Sequence, residues 1–79
     1  MKIKFFASAR EAVGEKVIER EYEEGLTVEE VIEELMKEFS ALEEYKNQII
    51  IAVNKQTGLD HKKIENGDEI AILPPVSGG

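Results

Sequence analysis

The chain contains no cysteine. Disulfides, zinc–thiolate sites and iron–sulfur clusters are therefore excluded, and so is any thiol nucleophile. Histidine is nearly absent. His61 stands alone beside Lys62 and Lys63 and reads as a solvated surface residue with no catalytic or metal role. No apolar run approaches the roughly 20 residues that span a bilayer. No signal peptide precedes Lys2-Ile3-Lys4, so no membrane partner and a cytoplasmic location are expected. Basic residues are in the minority, 10 against 17 acidic ones, for a net charge of −7. That balance repels phosphate backbones and argues against nucleic-acid binding. Its complement would be a basic protein surface, toward which acidic charge can steer. Internal repeats and low-complexity tracts are also missing.

What is present suffices for one small domain. The 79 residues are 42% apolar, enough for a globular core but not for two. Lys2 to Ala7 alternates as a strand, with Ile3 and Phe5 inward and Lys2, Lys4 and Phe6 outward. Ser8 to Glu15 reads as a connection whose Gly14 supplies a turn. A second strand, Lys16 to Glu23, follows and would form a hairpin with the first. Ile18 and Tyr22 suit its core face, and Arg20 between them is expected near the sheet edge, its stem packed and its head in water.

A helix beginning after Thr27 is the clearest element. Thr27 is a natural N-cap, and Glu30 three residues on completes a capping box, with Leu26 and Val31 as a hydrophobic staple. Val28, Val31, Ile32, Leu35, Met36 and Phe39 form one buried stripe, and the glutamates fill the opposite face. Ser40 to Asn47 reads as a short helical turn. Gln48 to Val53 is an apolar strand with Ile49, Ile51 and Val53 toward the helix and Ile50 and Ala52 away from it. Asn54 to Gly58 is turn-like. Asn66-Gly67-Asp68 is a strong turn leading into a last strand, Glu69 to Leu73, with Ile70 and Ile72 inward and Ala71 and Leu73 outward. The class is α+β: a mixed sheet crossed by one main helix.

The segment after Leu73 is built differently. Pro74 and Pro75 cannot donate to a ladder and stiffen the exit. Val76, Ser77, Gly78 and Gly79 follow, the last two without a Cβ. Six extended residues reach about 20 Å at roughly 3.3 Å each. Such a thin arm suits a carboxylate that must enter a narrow site, because glycine lets enclosing backbone approach closely. The division is thus a domain over residues 1–73 and a tail over 74–79, which reads from its residues either as a functional arm or as an ordinary frayed chain end.

These residues carry a family resemblance. Phe5-Phe6-Ala7, Arg10-Glu11 and Gly14 match its opening pattern, and Ala52-Val53-Asn54 its third strand. Gly67-Asp68-Glu69-Ile70-Ala71-Ile72-Leu73 and then Pro74-Pro75-Val76-Ser77-Gly78-Gly79 match its end. Over nearly its whole length the chain resembles the molybdopterin synthase small subunits (MoaD family) among the ubiquitin-like β-grasp sulfur carriers. The full tail favours this family over the thiamine-pathway sulfur carrier, whereas Lys55 to Lys63 matches poorly. The resemblance implies that an E1-like activating enzyme uses ATP to adenylate the Gly79 carboxylate. A sulfur donor protein then converts it to a thiocarboxylate. The charged tail enters the large subunit of molybdopterin synthase and gives sulfur to cyclic pyranopterin monophosphate in molybdenum cofactor biosynthesis. The chain would bind no cofactor or metal and catalyse nothing alone, since no convergent catalytic set is visible. Pro74, Pro75, Val76, Ser77 and Gly78 would be the arm. Phe6, Ile50, Ala52, Ala71 and Leu73 would form one apolar partner-binding patch, because the first, last and third strands of a β-grasp sheet are neighbours. Two other functions share the fold: a ubiquitin-like modifier joined through Gly79 to lysines, and a plain β-grasp interaction module.

Overall fold

The structure is a computed structural model that describes residues 1–74. Its elements run β1 (Lys2–Phe5), α1 (Ala7–Val13), β2 (Val17–Glu19), α2 (Val28–Glu38), a 3₁₀ turn (Ser40–Tyr45), β3 (Ile50–Val53), β4 (Gln56–Thr57) and β5 (Glu69–Leu73). The five strands form one mixed sheet in the order β2-β1-β5-β3-β4. β1 and β5 are parallel at its centre, Ile3 beside Ile70 and Phe5 beside Ile72. β5 also pairs antiparallel with β3, Ile51 opposite Ile72 and Val53 opposite Ile70. The first and last strands, whose pairing the hydropathy pattern leaves open, are therefore neighbours.

One face of this sheet is sealed by α2 and the 3₁₀ turn. Ile3, Val28, Val31, Leu35, Leu42, Val53, Ile70 and Ile72 are fully buried, and Phe5, Ile18 and Met36 nearly so. Burying each such aliphatic side chain is worth about 1.5–3 kcal/mol. The Phe5 and Phe39 rings meet edge to face, 6.0 Å between centroids, tying β1 to the end of α2. The stripe read from the sequence is this face, with Ile32 and Phe39 half-buried at its margin. The Thr27–Glu30 capping box is present in both directions, the Glu30 N–H donating to Thr27 Oγ1 and the Thr27 N–H to Glu30 Oε1.

Four expectations need correction. β1 stops at Phe5, because the chain turns at Ala7 (φ 47°) straight into α1. The segment read as a connection is thus largely helical, buries Ala9, and ends at Gly14 (φ 85°), whose N–H returns to the Arg10 carbonyl. β1 and β2 are consequently antiparallel neighbours joined through a helix, not a simple hairpin. β2 is also shorter than Lys16 to Glu23. Its register places Glu19 opposite Lys2, and the Arg20 N–H donates to the Met1 carbonyl. Arg20 lies at the sheet edge, as expected, and its guanidinium forks onto the Glu38 carboxylate.

The segment from Lys55 to Lys63 gains a structural role that its side chains do not announce. After a tight turn at Asn54 and Lys55 (φ 50° and 72°), Gln56–Thr57 pairs back on Val53 and Ala52 as β4. The chain then crosses the start of α2, where the Lys62 carbonyl accepts from the Val28 N–H and the Asp60 carbonyl from the Glu29 N–H. A helix leaves its first N–H groups without intrahelical partners, and here this segment and the capping box supply them. No helix among the described residues is long and apolar enough to cross a membrane.

Candidate functional site

The sheet face opposite α2 is open, and its composition changes along the strands. Side chains alternate across a strand, so the sequence positions between the core residues come to this side. The end of the face nearest Pro74 is apolar. Phe6 continues the parallel ladder, its N–H donating to the Ile72 carbonyl at 3.1 Å, which sets it level with Leu73. Leu73 in turn lies opposite Ile50. In the next row Val17, Lys4, Ala71, Ala52 and Thr57 are consecutive neighbours. Phe6, Val17 and Ile50 are the large hydrophobic side chains most exposed among the described residues, at 43%, 42% and 41%.

The expected patch of Phe6, Ile50, Ala52, Ala71 and Leu73 is therefore brought together on one face, with one correction. Ala52 is 8% exposed. Its methyl lies on this side but is too short to emerge from between its neighbours, so it offers almost no contact area. Val17 belongs to the patch and went unnoticed in the sequence. Its signal was there, since it holds the opposite phase to Ile18.

The other end of the face is charged. Lys4 Nζ lies 3.0 Å from Glu69 Oε1 across the β1–β5 pair. The Lys4 ammonium holds the Glu69 carboxyl below its usual range, with lesser help from Lys2 and Lys55. Both partners are more than a third exposed, so the pair fixes side-chain positions more than it stabilises the fold.

A second polar constellation sits where β5 begins. Asp68 is 7% exposed, the buried polar residue among those described. Its Oδ1 accepts from Asn54 Nδ2 at 3.0 Å, and its Oδ2 from the Glu65 N–H at 2.8 Å and from Lys62 Nζ at 3.4 Å. Asn54 Oδ1 accepts the Glu69 N–H at 3.0 Å. Burial pushes the Asp68 carboxyl up, but the bonds from Asn54, Glu65 and Lys62 outweigh it and hold the group below its usual range. A carboxylate bonded this fully is occupied with structure. It pins the β3–β4 turn and the Lys62 segment to the root of β5.

Among the described residues no three His, Asp or Glu side chains are placed to hold a metal, and His61 is exposed. The described part thus offers an open apolar face as its candidate site. Pro74 is half-buried where β5 leaves the sheet. Pro75, Val76, Ser77, Gly78 and Gly79, the expected arm and reactive end, lie outside the described residues.

The ThiS family matches residues 3–79. A molybdopterin synthase sulfur carrier subunit from Arabidopsis thaliana is 34% identical over 79 residues, covering 100% of this chain and 82% of that protein. Among solved structures, SAMP1 of Haloferax volcanii, a small archaeal modifier protein, superimposes with a TM-score of 0.87 at 27% identity over 99% of this chain and 97% of its own. A protein–protein complex of subunits 1 and 2 of the molybdopterin-converting factor from Helicobacter pylori matches with a TM-score of 0.67 at 25% identity, over 99% of this chain and 96% of that one. The five-stranded mixed sheet under one main helix is the ubiquitin-like β-grasp fold of these neighbours, and the chain belongs to the ThiS family.

Proposed function

We propose that this chain is the sulfur carrier subunit of a molybdopterin synthase, with its Gly79 carboxylate as the group that carries sulfur. The observation that carries this reading is the full-length likeness to a molybdopterin synthase sulfur carrier subunit, 34% identical over 100% of the chain. The sheet supports it, because the apolar row of Phe6, Leu73 and Ile50 lies where β5 runs out toward the Gly-Gly end.

The chemistry follows from the group. A carboxylate is a poor electrophile, so an E1-like enzyme activates it: a carboxylate oxygen attacks the α-phosphorus of ATP and pyrophosphate leaves. A persulfide on a donor protein then attacks the acyl carbon and AMP leaves; a second thiol attacks the donor-side sulfur of the resulting acyl disulfide, which frees the thiocarboxylate and leaves a disulfide on the donor. In a large synthase subunit the thiocarboxylate sulfur bonds to cyclic pyranopterin monophosphate, and water hydrolyses the acyl–sulfur bond so that the sulfur stays on the pterin and the carboxylate returns. The carrier supplies reach and a docking face, while acid–base and electrostatic work falls to the partners. The partner surface would cover Phe6, Val17, Ile50, Ala71 and Leu73, since a contiguous exposed apolar patch marks an interaction site. The Helicobacter pylori complex of two converting-factor subunits supports a paired arrangement.

The test is sulfur transfer with purified activating enzyme, ATP, a sulfur source and the large subunit. Removing Gly79 should abolish transfer with the melting temperature unchanged. The new carboxylate stops about 3.3 Å short, and a misplacement of even 1 Å can cost about a hundredfold. Full activity from the shortened chain would remove the terminal carboxylate from the mechanism. The likeness to SAMP1 favours a second reading, conjugation to lysines through the same activated end. A mass spectrum of the protein purified from its own cells separates the two: a sulfur-for-oxygen difference in one case, an added target protein in the other.

A further inference from the structure

A groove of about 400 Å³ runs between α2 and the β3–β4 side of the sheet, away from the parallel β1–β5 pair. That volume is within the range of about 300–1,000 Å³ typical of ligand-binding clefts. Its apolar lining includes Ile32 and Met36 from α2 and Ile49 and Ile51 from the β3 side. Three of these, Ile32, Ile49 and Ile51, remain half-buried beside a core whose other large side chains are closed off. The rim is acidic, with Glu29, Glu33 and Asp60 against the single cation Lys46. The strand beside it is incompletely paired. β4 covers β3 only at Ala52 and Val53, so among the described residues Ile50 and Ile51 have no strand neighbour on that side. Ile50 belongs both to this groove and to the open sheet face.

We infer that the groove is a second docking site, which takes an extended segment of a partner protein carrying an apolar side chain flanked by lysine or arginine. Each feature specifies one part of that occupant. A partly unpaired strand edge favours an added strand, whose main chain supplies affinity while alternate side chains enter pockets. Ile32, Met36, Ile49 and Ile51 call for an apolar side chain of Val, Ile or Leu size. Three carboxylates against one ammonium call for a cationic flank and reject an acidic one. The groove joins the open face at Ile50 and Thr57, so the docked segment lies against the β3–β4 margin of that face. The inference does not rest on the sulfur carrier reading, since it uses none of the tail residues.

The probe is the peptide acetyl-Lys-Val-Ile-Val-Lys-amide, with acetyl-Glu-Val-Ile-Val-Glu-amide as its control, titrated into the ¹⁵N- and methyl-labelled full chain. The basic peptide should bind saturably and shift the resonances of Ile32, Met36, Ile49 and Ile51, leaving Phe6 and Val17 unmoved. The acidic peptide should bind at least about tenfold more weakly, as like charges across an interface disfavour docking. The double variant Glu29→Lys, Glu33→Lys changes only exposed helix positions and should invert that preference while keeping the folded spectrum. Four results would overturn the inference. They are no saturable shift with either peptide, shifts confined to the open sheet face, an unchanged preference in the double variant, and concentration-dependent shifts of the same residues without peptide. The last would assign the groove to a second copy of this chain.

Discussion

β5 presents two different molecules, depending on the side from which it is seen. Ile70 and Ile72 are fully buried beneath α2, while Ala71 and Leu73, their immediate neighbours in sequence, are only half-covered on the open face. The backbone is shared, so the difference is purely one of what covers each face. The closed side is packed by aliphatic side chains from four strands, α2 and the 3₁₀ turn. The open side has only its own side chains, apolar near Pro74 and ionic near Glu69. Stability is concentrated on one face, and the other is left available for a partner.

The sharpest way to break this contrast is to truncate adjacent residues. Ile72→Ala should cost about 2–5 kcal/mol, the loss of a buried aliphatic plus the cavity it leaves. Leu73→Ala should cost under about 1 kcal/mol, as surface changes do. Urea unfolding of the two variants decides it, and equal losses would mean that the faces do not differ in energetic weight.

Asp68→Asn comes next, at about 1–3 kcal/mol, because a buried donor or acceptor is left poorly matched. Its pH dependence has a definite sign. The folded carboxyl titrates lower than the usual value near 4, so its contribution is fully present above about pH 4 and is lost as pH falls through the folded value. Unfolding free energies between pH 2 and 6 should fall on the acid side for the native chain and less steeply for Asp68→Asn. Parallel acid limbs would show that the Asn54–Asp68–Lys62 cluster contributes no linkage.

Thr27→Ala should cost about 1 kcal/mol through loss of the cap, measured as a lower urea midpoint with an unchanged slope. The effect should be partial, because the carbonyls of Lys62 and Asp60 still hold two N–H groups of the first turn. An unchanged midpoint would show that those carbonyls carry the cap alone.

The smallest stability effect is expected from Phe6→Glu, which should leave unfolding within about 0.5 kcal/mol. It should nevertheless weaken binding to a large synthase subunit at least about tenfold, since a partner would have to bury an unpaired charge. Normal binding, measured by calorimetry, would detach Phe6 from the partner face.

What could be read from the sequence was whatever side chains advertise by period or cap. α2 shows its stripe and its Thr27–Glu30 box, and β5 shows strict alternation between a turn and two prolines, so the expected and observed bounds of β5 coincide. α1 escaped because it is short, buries only Ala9 and has no side-chain cap at Phe6. A helix that packs through alanine leaves no apolar stripe to find. β4 escaped because both its residues are exposed and its turn uses Lys55 at positive φ, where glycine would have been the expected signal. The Lys55–Lys63 segment caps α2 through backbone carbonyls, which have no signature in the sequence. The patch was legible in direction but not in area, since alternation placed Ala52 correctly and could not foresee that its neighbours would cover it.

The central position of β5 has a mechanical consequence. Any agent that holds the chain beyond Pro74 pulls along the axis of a strand bonded on both sides, to β1 and to β3. Such a load is shared by two ladders that must shear together, whereas an edge strand such as β2 can be peeled from a single neighbour. The domain is thereby built as a rigid handle for its own terminus. Stretching single molecules from the C-terminal end should yield a higher rupture force than pulling from a point within β2.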